Sequence, residues 1–210
     1  MSQPRAPGPN ADRAPTRLGG GPFGAVAPVM AAAAFIVAAA FAAAFTGALP
    51  GGRWAVVHLV TLGVASPLIL AFSHQFAGSV TQGPADRSAM PLVAALYAGA
   101  LMVIVGLPSG QRWVTAVGGT AASAAVLASY VRLRRMRRGG GRFAWLLRGY
   151  ERAHGAFLHG ALLGLLIGVG AFRGDWYGAA RLAHLHAMVA GWVGVTILAT
   201  VVFFAPAMLR

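Results

Sequence analysis

The chain has 210 residues, 58% hydrophobic and only 10% charged, where a soluble domain carries about a quarter charged residues. It has no cysteine, which excludes disulfides, thiolate metal sites and iron–sulfur clusters and leaves His, Met, Asp and Glu as the ligand repertoire. The formal charge of +13 comes from 17 arginines with no lysine, set against Asp12, Asp86, Glu151 and Asp175; these arginines lie between apolar runs, so they read as topology signals and not as a nucleic-acid surface.

Residues 1–22 are rich in Pro, Gly, Ala and Arg without hydrophobic periodicity, which predicts a disordered tail. The first apolar run covers about 23–49. It is too long for a signal-peptide core, so a retained helix is expected. Pro50-Gly51-Gly52 makes a turn. The second run, about 54–80, holds His58, Pro67 and His74, and Pro67 is expected to kink it. Gln82 to Arg87 forms a loop. The third run is about 90–107 and the fourth about 113–133, followed by a basic, glycine-containing loop from Arg132 to Arg142. The fifth, about 150–172, carries His154 and His159. The sixth, about 182–209, carries His184 and His186.

The expected fold is therefore all-α: a polytopic bundle of six transmembrane helices, each near the ~20 residues needed to cross ~30 Å of hydrocarbon. With a cytoplasmic N-terminus, thirteen arginines fall on the cytoplasmic side, and Arg53, Arg112, Arg173 and Arg181 on the external side. That asymmetry predicts N-in, C-in topology. Exclusive arginine usage with abundant Ala and Gly suggests a high-GC bacterial source, hence a multi-pass protein of the inner (plasma) membrane. Gly160, Gly164 and Gly168 recur every four residues and form a smooth stripe suited to close helix approach. Glu151 is expected to pair with Arg148 or Arg152, and the basic loop to touch anionic lipid headgroups.

The six histidines sort by depth. His58, His184 and His186 lie three to five residues inside the external helix starts, within roughly 5–8 Å of one level at 1.5 Å per residue. His74, His154 and His159 lie nearer the cytoplasmic side. His184 and His186 are two residues apart, so they point roughly 200° from each other and cannot readily ligate one ion from a regular helix. Helix-end histidines have an ordinary reading as interfacial polar groups, and it is the stronger reading for His154 and His74. His159 reads equally as a helix contact or a ligand. For His58, His184 and His186 together, matched depth on two helices favours function, since intramembrane polar groups are expensive.

A porphyrin fits between helices and takes axial imidazoles from two of them, whereas copper or zinc wants three or more converging ligands. Matched histidines on two helices thus point to haem. Gly191 and Gly194 would leave room for a macrocycle, or would serve plain helix packing. His184-x-His186-x4-Gly191-Trp192-x-Gly194, with Pro206 beyond it, resembles the tenth helix of the haem–copper oxidase catalytic subunit, nearest the C-type class and the NnrS-type membrane proteins. Trp54-Ala-Val-Val-His58-x4-Gly63 resembles the second helix of that subunit, and Ser73-His74-Gln75-Phe76 resembles a motif in the membrane portion of actinobacterial copper-oxidase-like proteins. The resemblance implies that paired histidines face two different haems and that His58 is an axial ligand of a low-spin haem. The chain has fewer helices than such a subunit and no counterpart of its adjacent copper-binding histidines, so a complete oxygen- or nitric-oxide-reducing site is not evident.

The function expected is haem-binding with electron transfer or haem/copper-linked redox chemistry. The cofactor is haem b, with His58 and one of His184 or His186 as iron ligands. His186 is preferred because Ala190 and Gly194 follow on its face. His74, His154 and His159 are weaker metal candidates. A redox partner protein, a copper-oxidase-like domain or a larger complex would complete it. The alternatives are a copper-handling transport protein, with Met102 and Met188 as soft ligands, and a structural subunit of a membrane complex.

Overall fold

The computed structural model describes residues 23–48, 51–81, 89–141 and 143–208, and these residues are all-helical, with no strand among them. The expected tail, Pro50, the Gln82–Arg87 loop, Arg142 and Arg210 lie outside the described residues. Helix α1 spans Phe23–Ala44. Helices α2 (Gly52–His58) and α3 (Ser66–Thr81) join through a π-helical stretch, Leu59–Ala65, into one rod. Helix α4 is Ala89–Gly106 and α5 is Arg112–Arg138. A 3-10 turn, Ala144–Leu146, leads into α6, Leu147–Gly168. Helices α7 (Asp175–His186) and α8 (Val195–Met208) join through a second π-helical stretch, Ala187–Gly194.

By length and composition, five helices can cross a membrane: Val26–Ala44, Gly52–Thr81, Ala89–Gly106, Arg112–Arg138 and Asp175–Ala205. The chain reads as membrane-embedded on that ground. Helix α6 is long enough but less apolar, because it carries Arg148, Glu151, Arg152, His154 and His159. Its polarity has a structural reason. Tyr150, Glu151, Ala153, His154 and Phe157 are all buried among the other helices, where polar side chains find protein partners instead of lipid.

The helix ends depart from the apolar boundaries. Helix α5 continues through Arg132 to Arg138, since arginine is a good helix former and the apolar limit is not a helix limit. It stops before Gly140 and Gly141, both at positive φ. The last rod starts at Asp175 and not near residue 182; Gly174 at φ 56° turns the chain, and the Asp175 carboxylate suits a helix N-terminus.

Small residues set how closely the rods approach. A Cβ on Gly99 of α4 would lie 2.5 Å from the Gly118 carbonyl oxygen and 2.8 Å from the Ala122 nitrogen of α5, so these backbones touch. The α6 stripe receives the last rod: Gly160 faces Met188 and Ala187, Gly164 faces His184, and Gly149 faces Ala199. The end of the stripe, Gly168, turns instead toward Thr115 and Leu107. One core runs through the middle, built from Leu70, Val93, Leu96, Ala122, Val126, Ala153, Phe157 and Trp192. Helix α1 packs outside it on the first π-helical stretch, through Ala39, Ala42 and Leu59. Pro67 lies at the start of α3, directly after the π-helical stretch.

Candidate functional site

Two of the rods bring two of the six histidines together. His58, the last residue of α2, and His184, near the end of α7, have ring centroids 6.4 Å apart and planes only 6° from parallel. Both are half-buried. His58 Nδ1 donates to the Trp54 carbonyl at 2.9 Å, and the Trp54 indole stacks on the same ring at 4.0 Å. His184 Nδ1 donates to the Gly160 carbonyl of α6 at 2.7 Å. A carbonyl can only accept, so in each neutral ring the proton sits on Nδ1 and Nε2 carries the lone pair. That is the tautomer a metal-ligating imidazole uses, with its other nitrogen held by a carbonyl.

The separation is informative. An imidazole nitrogen bonds a first-row metal ion at about 2.0 Å, and the ring centroid lies roughly 1.1 Å behind it, so two rings bonded to one ion from opposite sides would have centroids about 6.2 Å apart. The observed spacing of 6.4 Å is close to that figure. His58 and His184 would be the residues to hold a haem iron, which would supply reversible one-electron chemistry. Among the described residues no three His, Asp or Glu side chains converge on one point.

His186 lies elsewhere. It is exposed, and its Nδ1 donates to Leu182 of its own helix. His159 is also exposed and bonded to Gly155. Gly191, expected to make space for a macrocycle, is filled in: a Cβ there would meet the Ala156 methyl at 2.6 Å, so it serves helix packing. Gly63 is likewise covered by the Phe35 ring. Met188 packs on Gly160, the residue whose carbonyl holds His184 Nδ1, and Met102 packs on Gly118.

The register of the two rods is held one level deeper, by residues the spacing of the histidines did not reveal. The Trp192 indole N–H donates to Ser66 Oγ at 3.0 Å, and that hydroxyl donates to the Thr61 carbonyl at 2.8 Å. Both bonds lie at the π-helical stretches, where widened turns shift carbonyls out of the regular ladder. Trp192 is 1% exposed, so this link is dry. Each rod thus carries a histidine, a π-helical stretch after it, and a tie to the other rod at or next to that stretch.

His74 and His154 form a second cluster. His74 Nε2 and His154 Nε2 each lie 2.9 Å from Ser129 Oγ, joining α3, α5 and α6. His154 Nδ1 donates to the Tyr150 carbonyl at 2.8 Å, and its ring meets Trp192 edge-on at 5.0 Å. Nearby, Glu151 pairs with Arg137 Nε at 2.5 Å, not with Arg148 or Arg152, because it turns inward toward the end of α5. Comparison with protein-family models, curated proteins and solved structures finds no match.

Proposed function

We propose that this chain is a haem-binding membrane protein of the bacterial inner membrane, in which His58 and His184 hold the iron of a low-spin b-type haem near the external face. The observation that carries this reading is the pair of parallel imidazoles 6.4 Å apart, each anchored through Nδ1. It favours His184 over His186 as the second ligand. The bound group would supply reversible one-electron chemistry. The protein's own part is to present two bare Nε2 atoms at fixed spacing and to hold the tautomers. The arginine asymmetry supports six crossings with both termini cytoplasmic, α6 being the interior, polar crossing. An external redox partner, such as a copper-oxidase-like domain, would exchange electrons with the pair. The resemblance to haem–copper oxidase subunits supports the same class of chemistry.

The test is optical. The full chain, purified in detergent from haem-supplemented cells, is expected to show a Soret band and a sharp alpha band in the reduced-minus-oxidised spectrum. His58→Ala and His184→Ala each abolish the alpha band, and His186→Ala keeps it. Absence of Soret absorbance in the wild type overturns the haem reading. Loss in His186→Ala with retention in His184→Ala keeps haem but rejects the pairing.

A further inference from the structure

The haem reading leaves His74, Ser129 and His154 without a role, yet all three are buried and joined by two 2.9 Å contacts across three helices. Their protons can be assigned from the partners. The Tyr150 carbonyl forces a proton onto His154 Nδ1. In the neutral ring, Nε2 is then an acceptor, so Ser129 must donate to it. The serine oxygen in turn accepts from His74 Nε2–H. One orientation satisfies both contacts, and it leaves the lone pair of His74 on the buried Nδ1.

The same three side chains accommodate one further proton without losing a bond. If a proton is taken up at His74 Nδ1, the His74 Nε2 proton passes to Ser129 Oγ and the serine's own proton passes to His154 Nε2. Both hydrogen bonds reverse direction. His154 becomes an imidazolium donating to Ser129, and Ser129 donates to the bare His74 Nε2. A second proton is disfavoured: both nitrogens would then donate to one hydroxyl, with two like charges facing each other in a dry site.

We propose that His74–Ser129–His154 is a buried proton-binding relay that holds a single proton shared between two imidazoles through the Ser129 hydroxyl. Its ligand is the proton itself. The surrounding groups suit that charge. On α6, Glu151 sits one turn before His154, where Cβ atoms are about 5–6 Å apart, and it is held by Arg137 of α5. Tyr150 is engaged with Thr200 of α8 at 3.0 Å. From the last rod, the Trp192 ring meets His154 edge-on and brings no titratable group, and on α3 the neighbour Ser73 is bonded to its own helix at Ile69. The site is independent of haem at His58 and His184.

Histidine-selective ¹⁵N labelling of the full chain in lipid nanodiscs tests it, with the His74 and His154 signals assigned by His74→Asn and His154→Asn. At high pH, His154 is expected as the Nδ1–H tautomer and His74 as the Nε2–H tautomer. On acidification both rings change together in one step that binds one proton per chain. Ser129→Thr, which keeps a hydroxyl, preserves the joint step, and Ser129→Ala makes the two rings titrate separately. The proposal is overturned if neither ring binds a proton over the range where the wild type stays helical, if the two wild-type rings titrate independently, or if the joint step survives in Ser129→Ala. Should Ser129→Ala not fold, the wild-type tautomers and single step decide by themselves.

Discussion

Removing the Ser66 hydroxyl should loosen the tie that sets the two histidine-bearing rods in register. In Ser66→Ala the Trp192 N–H loses its acceptor while staying fully enclosed, and the Thr61 carbonyl loses a donor. A buried donor left without a partner costs about 1–3 kcal/mol, whereas hydrogen bonds between helices in membranes average about 0.6 kcal/mol and reach about 1.7. Trp192 is 1% exposed, so no solvent substitutes for the serine and the upper part of the membrane range applies, about 1–1.5 kcal/mol. In a chain of this size that corresponds to a fall in Tm of about 2–6 °C. Thermal unfolding in detergent, followed by circular dichroism, measures it. A double-mutant cycle with Trp192→Phe isolates the bond from the cavity that the smaller ring leaves, and a coupling of about 1 kcal/mol is expected. Strict additivity of the two substitutions, within about 0.5 kcal/mol, would refute the assignment of this bond as the tie between the rods.

Other substitutions read other parts of the structure. Gly99→Ala drives a methyl into the backbone of α5 and should destabilise by about 1–3 kcal/mol. Gly78→Ala, with nothing within 4 Å of the new methyl, should be neutral or stabilise by about 0.5–1 kcal/mol; equal melting shifts for the two would contradict the close α4–α5 approach. Gly164→Ala adds a methyl 2.9 Å from His184 Cε1, so under the proposed haem reading it should shift or broaden the absorbance of the haem-supplemented protein, while Gly155→Ala in open space leaves the spectrum unchanged. Arg137→Ala strips Glu151 of its partner in a buried position and should cost about 1–3 kcal/mol, between exposed and fully buried pairs. Adding Glu151→Gln should recover part of that loss, and a further drop in Tm in the double variant would argue against the pair.

Several features of the site could be read before any coordinates. Long apolar runs required helices, and counting 1.5 Å per residue put His58 at the level of His184 and His186. The geometry of an i, i+2 pair also required the last two to face different surroundings, and in the structure one meets His58 while the other is exposed. Which one faces inward was not legible. It depends on the rotation of the last rod, and that rotation is decided by its seat on α6, where Gly160 and Gly164 admit Met188 and His184 and where Ala156 fills the space beside Gly191. The choice of His186 rested on small residues along its own face, but small residues in a bundle are consumed by neighbouring helices.

Composition and periodicity by themselves determined that the chain is all-helical and apolar enough for a membrane, because burying a backbone in lipid leaves few alternatives to the helix. They also supplied the list of histidines and their order in depth. Only the tertiary structure decided the pairing of His58 with His184, the Trp192–Ser66 tie, and the joining of His74 to His154 through Ser129. Each links residues on different rods, and a serine in an alanine-rich helix carries no spacing signal that names its partner. The π-helical stretches changed the outcome again, since each shifts the phase of every side chain that follows it, and no periodicity in the apolar pattern announces that shift.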